Sequence, residues 1–163
     1  MKNAVNIEVI VLRFPSSLVS EIDHHIEKTE LFANRPDFII SATRHYLDRL
    51  YHSCGLEYIN DDFTKCERID PKESLNWTKI DLSEIIRTYR TYEGDPIRIN
   101  VRMPTGFRKK WMYLSKLNLS INNFQDFIRY SVLFYLNSFY LFSIYDFDEH
   151  VNEFISELTN EKD

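Results

Sequence analysis

Arginine and asparagine occur at every second position of a short apolar segment in the middle of the chain. Arg98, Asn100 and Arg102 alternate there with isoleucine, valine and methionine. An arginine side chain can form two hydrogen bonds with guanine, and an asparagine side chain can do the same with adenine. The same residue types are also common on a strand face that contacts only solvent. The spacing therefore offers one specific chemistry, the recognition of base edges, and one alternative without a ligand.

The alternation also predicts how this segment is built. Because successive side chains of a β-strand point to opposite faces, the polar residues would share one face and the apolar residues the other. Pro104 follows and cannot donate a hydrogen bond to a neighbouring strand, so we expect the strand to end there and a helix to begin. Residues 7–15 form a similar β-rich run that ends at Pro15.

The two segments belong to a repeat with an offset of 89 residues. Residues 10–51 and 99–140 align without a gap, with ten identities in 42 positions. A fixed-offset repeat of this size predicts one supersecondary unit used twice. In each copy a proline-terminated strand precedes two stretches of helical periodicity, and polar residues separate these two stretches. The identities are Ile10/Ile99, Arg13/Arg102, Pro15/Pro104, Asn34/Asn123, Asp37/Asp126, Phe38/Phe127, Ile39/Ile128, Tyr46/Tyr135, Leu47/Leu136 and Tyr51/Tyr140.

The order strand, helix, helix resembles the ribbon-helix-helix family of DNA-binding proteins, the Arc, MetJ and CopG type. The residues that carry the resemblance are the alternating segment 98–104 and the opening of the second helix at 34–39. The resemblance implies that two strands pair into an antiparallel ribbon over a helical body, with the polar face of the ribbon in the major groove. We therefore predict a mainly α protein with two such units, whose strands pair within one chain or across a dimer.

The resemblance also implies roles for individual residues in DNA binding. Copy one has valines where copy two has Arg98 and Asn100, so its strand can contact thymine methyl groups or be covered by the connector or the tail. The family binds a DNA phosphate at the start of the second helix, where Asn34 and Asn123 can equally act as helix caps. Pro36 suits the first position of that helix. The base-contact candidates are Arg98, Asn100, Arg102, Arg13, Val11 and Val9, and the phosphate candidates are Asn34, Arg35, Asn123, Lys109 and Lys110.

The charge distribution divides the two copies. The net charge is −5, but seven acids and one lysine in residues 144–163 account for −6 of it and leave +1 for the rest of the chain. Residues 97–117 hold six basic residues and no acid, whereas residues 7–31 hold more acids than bases. We expect phosphate affinity to come mainly from copy two.

The chain is expected to divide into four parts. These are copy one at 1–51, a connector at 52–96, copy two at 97–143 and an acidic tail at 144–163. Within the connector a short helix is predicted over 81–89 with Asp81 as its cap, and a helix is predicted over 147–158 of the tail. The connector is long enough to let the second strand return antiparallel to the first, which would make one chain an intramolecular pseudo-dimer.

Several other functions are disfavoured by the sequence. The histidines and the two cysteines, Cys54 and Cys66, lack the paired spacing of a structural zinc site, and no glycine begins a phosphate-binding loop, so we expect no metal, no cofactor and no enzyme. The longest apolar stretch, 132–145, is interrupted by Asn137 and Ser138, and no signal peptide is visible. A cytoplasmic protein without a membrane span is expected.

The predicted function is sequence-specific binding of double-stranded DNA by a transcriptional regulator. The main alternative is a degenerate ribbon-helix-helix scaffold for protein–protein contact, antitoxin-like or an assembly partner. The apolar face of Val9 and Val11, the acidic copy one and the acidic tail favour it. A conjugation or plasmid-partition factor would share the DNA chemistry and differ in its site.

Overall fold

The computed structural model describes residues 5–53, 86–115 and 123–144, without the side chains of 52, 53 and 139–144. In these ranges the chain is mainly helical and contains one two-stranded antiparallel sheet, as predicted. Residues 86–89, just before the second strand, are also helical. The elements are β1 (Ile7–Pro15), α1 (Ser16–Thr29), α2 (Arg35–Ser53), β2 (Pro96–Pro104), α3 (Thr105–Ser115) and α4 (Phe124–Ile144).

The two strands pair with each other inside this one chain. The register joins Ile7 to Pro104 at one end and Pro15 to Pro96 at the other. Val11 and Asn100 face each other at the centre, and they are also equivalent positions of the 89-residue repeat. When two equivalent strands pair antiparallel, one position must lie opposite its own equivalent. The ribbon meets this requirement at its central pair.

The alternation of each strand separates the ribbon into a buried and an exposed face. The buried face carries an apolar residue at nearly every position, whereas the exposed face carries the polar residues of β2. Both strands end at a proline, and α1 and α3 begin at the next residue. The buried strand residues are Ile10, Leu12 and Phe14 in β1, and Ile99, Val101 and Met103 in β2.

The two long helices form the body under the ribbon. α2 packs mainly on α4, and each of them also contacts the strand of the other half: α2 contacts β2, and α4 contacts β1. Tyr46 of α2 lies between Phe127 and Phe134 of α4, with ring centroids 5.3 and 4.8 Å away. Most of the described aromatic residues of α4 are therefore core residues. Because the contacts cross between the halves, neither half would keep its buried surface without the other.

One predicted helix boundary is wrong by one residue. α2 begins at Arg35, so Pro36 occupies its second position and not its first. Both positions lie in the first turn, where backbone N–H groups have no partner inside the helix, so the missing N–H of proline costs nothing at either one.

Some of the predictions for the connector and the tail concern residues that lie outside the described ranges. The predicted helix over 81–89 is seen at 86–89, while its cap Asp81, both cysteines and the predicted tail helix over 147–158 lie outside the described residues. Among the described helices, none is long and apolar enough to cross a bilayer.

The turn before β2 is attached to the start of α1. The backbone N–H of Ser17 donates to the carbonyl of Glu93 at 3.1 Å, and the N–H of Glu93 donates to the Ser17 hydroxyl at 2.8 Å. Gly94 follows with φ +102°, and a Cβ atom placed there would lie 1.9 Å from Oγ of Ser16. Only glycine suits this backbone conformation and this contact.

We expect Gly94→Ala to destabilise the fold by about 1–3 kcal/mol, because alanine is strained at this φ and collides with Ser16. Gly106 provides the matched control, since a Cβ atom there meets nothing within 4 Å. Gly106→Ala should be neutral or stabilising by up to about 1 kcal/mol, because alanine favours a helix. Urea unfolding measures both; equal effects of the two substitutions would contradict the role of Gly94.

His25 of α1 gives the fold a dependence on pH. Its ring lies 5.7 Å from that of Phe38 and 6.4 Å from that of Phe32. Burial, with a smaller contribution from the charge of Lys28, lowers the pKa of the imidazole. Protonation therefore favours the unfolded chain, in which histidine titrates near about 6.5. The stability due to neutral His25 is complete above that pH and declines as the pH falls toward the lower pKa of the folded state.

We expect His25→Gln to make the free energy of unfolding less sensitive to pH between about 7 and 5, because this titration is then lost. His24→Gln is the control, since the neighbouring His24 is exposed. Urea unfolding at several pH values measures the slopes. An unchanged slope in His25→Gln would show that His25 does not contribute to acid sensitivity.

Candidate nucleic-acid interface

Six side chains that the sequence placed on two separate strands share one exposed surface. Arg98 lies opposite Arg13, Asn100 opposite Val11, and Arg102 opposite Val9. Because all six are on alternate positions of paired strands, they point away from the helical body. The three arginines and Asn100 are exposed. We call this surface the outer ribbon face; its residues are Val9, Val11, Arg13, Arg98, Asn100 and Arg102.

The outer ribbon face carries three guanidinium groups and no carboxylate. Glu8, the one acid in the two strands, has the opposite orientation, and its carboxylate accepts hydrogen bonds from Nε of Arg108 at 3.0 Å. Arg13 and Arg98 are direct cross-strand neighbours, an arrangement that like charges disfavour. Arg98 also donates from Nε to Oδ1 of Asn100 at 3.3 Å. A local positive potential follows, in a chain whose net charge is −5.

The valines of copy one are accessible to different degrees. Val9 is 62% exposed, while Val11 is half-buried. Ile7, at the end of the same strand, is 55% exposed. The described residues thus leave Val9 open for contact. A methyl group at this position can pack against a thymine methyl or against an apolar side chain of another protein.

Two residues at the start of α4 bind the free edge of β1, and sequence reasoning missed both. Nε2 of Gln125 donates to the Val11 carbonyl at 3.1 Å, and Nε of Arg129 donates to the Arg13 carbonyl at 3.2 Å. Arg129 is also held by Asp126 at 2.6 Å. The equivalent positions of α2 are Pro36 and Ile40, whose side chains have no donor. The signal available in the sequence was that these two repeat positions are polar in copy two and apolar in copy one.

Asn34 and Asn123 act as caps in the structure. Oδ1 of Asn34 accepts a hydrogen bond from the N–H of Asp37 at 2.9 Å, and Oδ1 of Asn123 accepts one from the N–H of Gln125 at 2.8 Å. The carboxylate of Asp37 accepts one from the N–H of Ala33 in return. The capping interpretation is therefore confirmed, and the compatible phosphate role stays a prediction.

Arg35 is held by a carboxylate of α1. Its Nε and one terminal nitrogen each donate to an oxygen of Asp23 at 2.7 Å, the paired geometry that arginine and carboxylate favour. The hydrogen bond from Arg35 is the largest cause of the lowered pKa of Asp23. An open cleft of about 400 Å³ adjoins this ion pair between α1 and the start of α2. A phosphate would have to bind Arg35 beside Asp23 or replace it.

The two candidate lysines of α3 lie in different environments. Lys109 is exposed. The Lys110 side chain is only 15% exposed, with its amine 3.5 Å from a carboxylate oxygen of Asp48 and 5.6 Å from the ring centre of Tyr51. Burial lowers the pKa of this amine, and Asp48 opposes that effect. Lys110 thus joins α3 to α2, and Lys109 is the more accessible of the two to an anion.

Residues 5–53, 86–115 and 123–144 contain no group of three or more histidine, cysteine, aspartate or glutamate side chains arranged to hold a metal ion. Cys54, Cys66 and the side chain of His52 lie outside the description.

Comparisons with protein-family models, with curated proteins and with solved structures found no match. No comparison therefore supports the resemblance to ribbon-helix-helix proteins, and any proposal about function depends on the residues and geometry of this chain.

We expect Asn34→Ala to destabilise the protein by about 1 kcal/mol, because the N–H of Asp37 loses its acceptor. Asn34→Ser is the matched variant that keeps a capping oxygen, and it should retain most of the stability. Thermal unfolding of the three proteins compares them. A serine variant as unstable as the alanine variant would mean that Asn34 contributes by something other than its cap.

Proposed function

We propose that this chain binds double-stranded DNA sequence-specifically, through a β-ribbon in the major groove, and acts as a transcriptional regulator. The observation that carries the proposal is the outer ribbon face, where the strand register gathers three arginines and an asparagine without any acid. These side chains are the ones that form two hydrogen bonds with guanine and adenine. A solvated surface would have no need to place Arg13 against Arg98, since like charges opposite each other are unfavourable.

The shape of the ribbon supports the same proposal. The major groove is about 12 Å wide and admits a two-stranded ribbon. The inner face is committed to the core through residues such as Leu12 and Val101, which are fully buried. Only the outer ribbon face is then available to a groove. Helices α1 and α3 begin directly after Pro15 and Pro104, at opposite ends of the ribbon, and Asn100 at its centre is exposed.

We further propose that the fold is a tandem ribbon-helix-helix arrangement within one chain. Support comes from the order strand, helix, helix on both sides of the connector and from α2 and α4 each contacting the opposite strand. The pairing of the equivalent positions Val11 and Asn100 adds to this. A single chain would then supply what the resembled family forms from two chains, an intramolecular pseudo-dimer that needs no partner to complete its ribbon.

Contacts with phosphates would orient the ribbon on the duplex. The first turns of α2 and α4 present backbone N–H groups after the caps Asn34 and Asn123, and helix N-termini attract phosphate. The hydrogen bonds from Gln125 and Arg129 hold the start of α4 beside β1. Exposed Lys109 would add attraction that depends on salt. Such contacts would determine the position and affinity of the protein on the duplex, while the ribbon would determine which base sequence is preferred.

A second candidate function has an observation of its own. Val5, Ile7 and Val9 are 69, 55 and 62% exposed; Val5 precedes β1, and Ile7 and Val9 lie on its outer side. Exposed apolar residues grouped in this way also suit a protein–protein contact, as in a degenerate scaffold that has lost its ability to bind DNA. Salt separates the two functions, because DNA binding weakens steeply as salt releases the counterions of the duplex, whereas an apolar contact does not.

The double substitution Arg98→Ala with Arg102→Ala should strongly reduce selection of a preferred sequence. Each lost guanine contact costs about 1–3 kcal/mol of discrimination, while non-specific attraction to phosphates partly survives. Selection of bound duplexes from a random library, followed by anisotropy titrations of the enriched and a scrambled sequence, measures this.

Arg87→Ala with Arg90→Ala is the control for charge. Both arginines are exposed and precede β2, so this variant loses the same two charges outside the ribbon. This variant should bind the enriched and the scrambled sequence more weakly, to a similar extent, and should keep its preference for the enriched one. If the ribbon variant kept the preference as well, the ribbon would not be the surface that recognises bases.

A further inference from the structure

The two ends of the outer ribbon face are not equivalent, although the strands pair about equivalent positions. On one side of the central pair, Arg13 lies opposite Arg98; on the other side, Val9 lies opposite Arg102. We call these the double-arginine end and the single-arginine end. In a ribbon of two identical strands both ends would carry the same two residues. Here the substitution of valine for arginine at position 9 removes one guanidinium from one end only.

The antiparallel register decides which arginines act together. Arg98 and Arg102 belong to the same strand, but they are four residues apart and lie on opposite sides of the central pair. Four residues of strand span about 14 Å, and DNA rises about 3.4 Å for each base pair, so the two ends would lie about four base-pair steps apart on a duplex whose axis runs along the ribbon. Arg98 therefore shares its base pairs with Arg13, from the other strand and the other copy.

Each end of the outer ribbon face also has an ion pair close by. At the double-arginine end, Nε of Arg129 donates to the Arg13 carbonyl at 3.2 Å, and Arg129 is paired with Asp126 at 2.6 Å. At the other end, next to Val9, Glu8 is paired with Arg108 at 3.0 Å. Each pair joins one cation to one carboxylate, so the higher positive potential of the double-arginine end comes from its second outer-face arginine.

We propose that the ligand is a non-palindromic DNA site, with guanines concentrated in one half and a thymine in the other. This rests on the proposed function, since it requires the outer ribbon face to contact bases. Two arginines side by side can each take the O6 and N7 acceptors of a guanine, so the double-arginine end selects two G·C pairs. The single-arginine end selects one guanine with Arg102 and offers Val9 to a thymine methyl group.

An asymmetric site also fixes the orientation of the bound protein. The chain binds with its double-arginine end on the guanine-rich half. The start of α4 is joined to β1 by Gln125 and Arg129, so it is oriented along the duplex together with the ribbon. A regulator of this kind distinguishes the two directions along the duplex, which a ribbon with identical ends cannot do.

The experiment compares the natural chain with a variant whose outer ribbon face is symmetric. Val9→Arg with Val11→Asn gives β1 the same exposed residues, Arg, Asn and Arg, as β2. Both proteins select duplexes from a random library at near-physiological salt, and symmetry is scored within the few base pairs that one ribbon covers. The natural chain should enrich a site without internal two-fold symmetry, and the variant should enrich a palindromic site with guanines in both halves.

Single substitutions assign the halves and do not depend on the double variant folding. Arg13→Ala and Arg98→Ala should relax the same half of the site, each by at least about fivefold in preference, and Arg102→Ala should relax the other half. The proposal would be overturned if the single variants Arg98→Ala and Arg102→Ala relaxed the same half of the site and Arg13→Ala relaxed the other half.

The outcomes separate this inference from the proposed function. Enrichment of a palindromic core by the natural chain would overturn the asymmetric site and leave DNA binding in place. Absence of any enriched sequence, with the chain folded by circular dichroism, would overturn the proposed function and this inference with it. An asymmetric core that becomes palindromic in the symmetric variant would support both.

Discussion

The pairing of β1 with β2 is the constraint on which the other described contacts depend. A single strand leaves a row of N–H and C=O groups without partners, and here each strand finds them in a segment more than eighty residues away. Once the strands pair antiparallel, the helices that follow them leave from opposite ends, and α2 and α4 cross under the ribbon to meet. The free edge of β1 is bonded in turn by Gln125 and Arg129. Pairing, crossing and edge protection are thus one cooperative arrangement.

The same pairing gives the ribbon two faces of opposite character. The inner face contributes residues such as Phe14 and Met103 to the core, and burying them stabilises the fold by roughly 1.5–3 kcal/mol each. The outer face places guanidinium groups side by side, which opposes folding slightly and is relieved when an anion binds between them. A surface that is unfavourable in the free protein and favourable on a polyanion is consistent with a function in nucleic-acid binding. The core supplies the stability that allows such a surface to persist.

Cationic residues near the ribbon show how far tertiary contacts redirect a residue type. Lys109 and Lys110 are adjacent in sequence, yet Lys110 packs on Tyr51 and Asp48 while Lys109 remains exposed. Arg35, at the start of α2, is bound by Asp23 of α1. A basic side chain is thus most available to an anion where the fold leaves its charge uncompensated. By that criterion the arginines of the outer ribbon face are the strongest candidates in the described part of the chain.

The sequence by itself determined the strands, the described helices and the face that β2 exposes, whereas the exposure of Val9 on β1 was known only from the structure. Alternation, proline and asparagine act through local geometry, so the segments 98–102 and 34–39 indicated their structure without knowledge of the fold. The 89-residue repeat further indicated that the two strands are equivalent. Only the tertiary structure decided that Arg98 lies opposite Arg13, that Arg35 binds Asp23, and that Gln125 reaches the edge of β1. These contacts join residues far apart in sequence, and their partners depend on strand register and helix crossing, which local patterns do not specify.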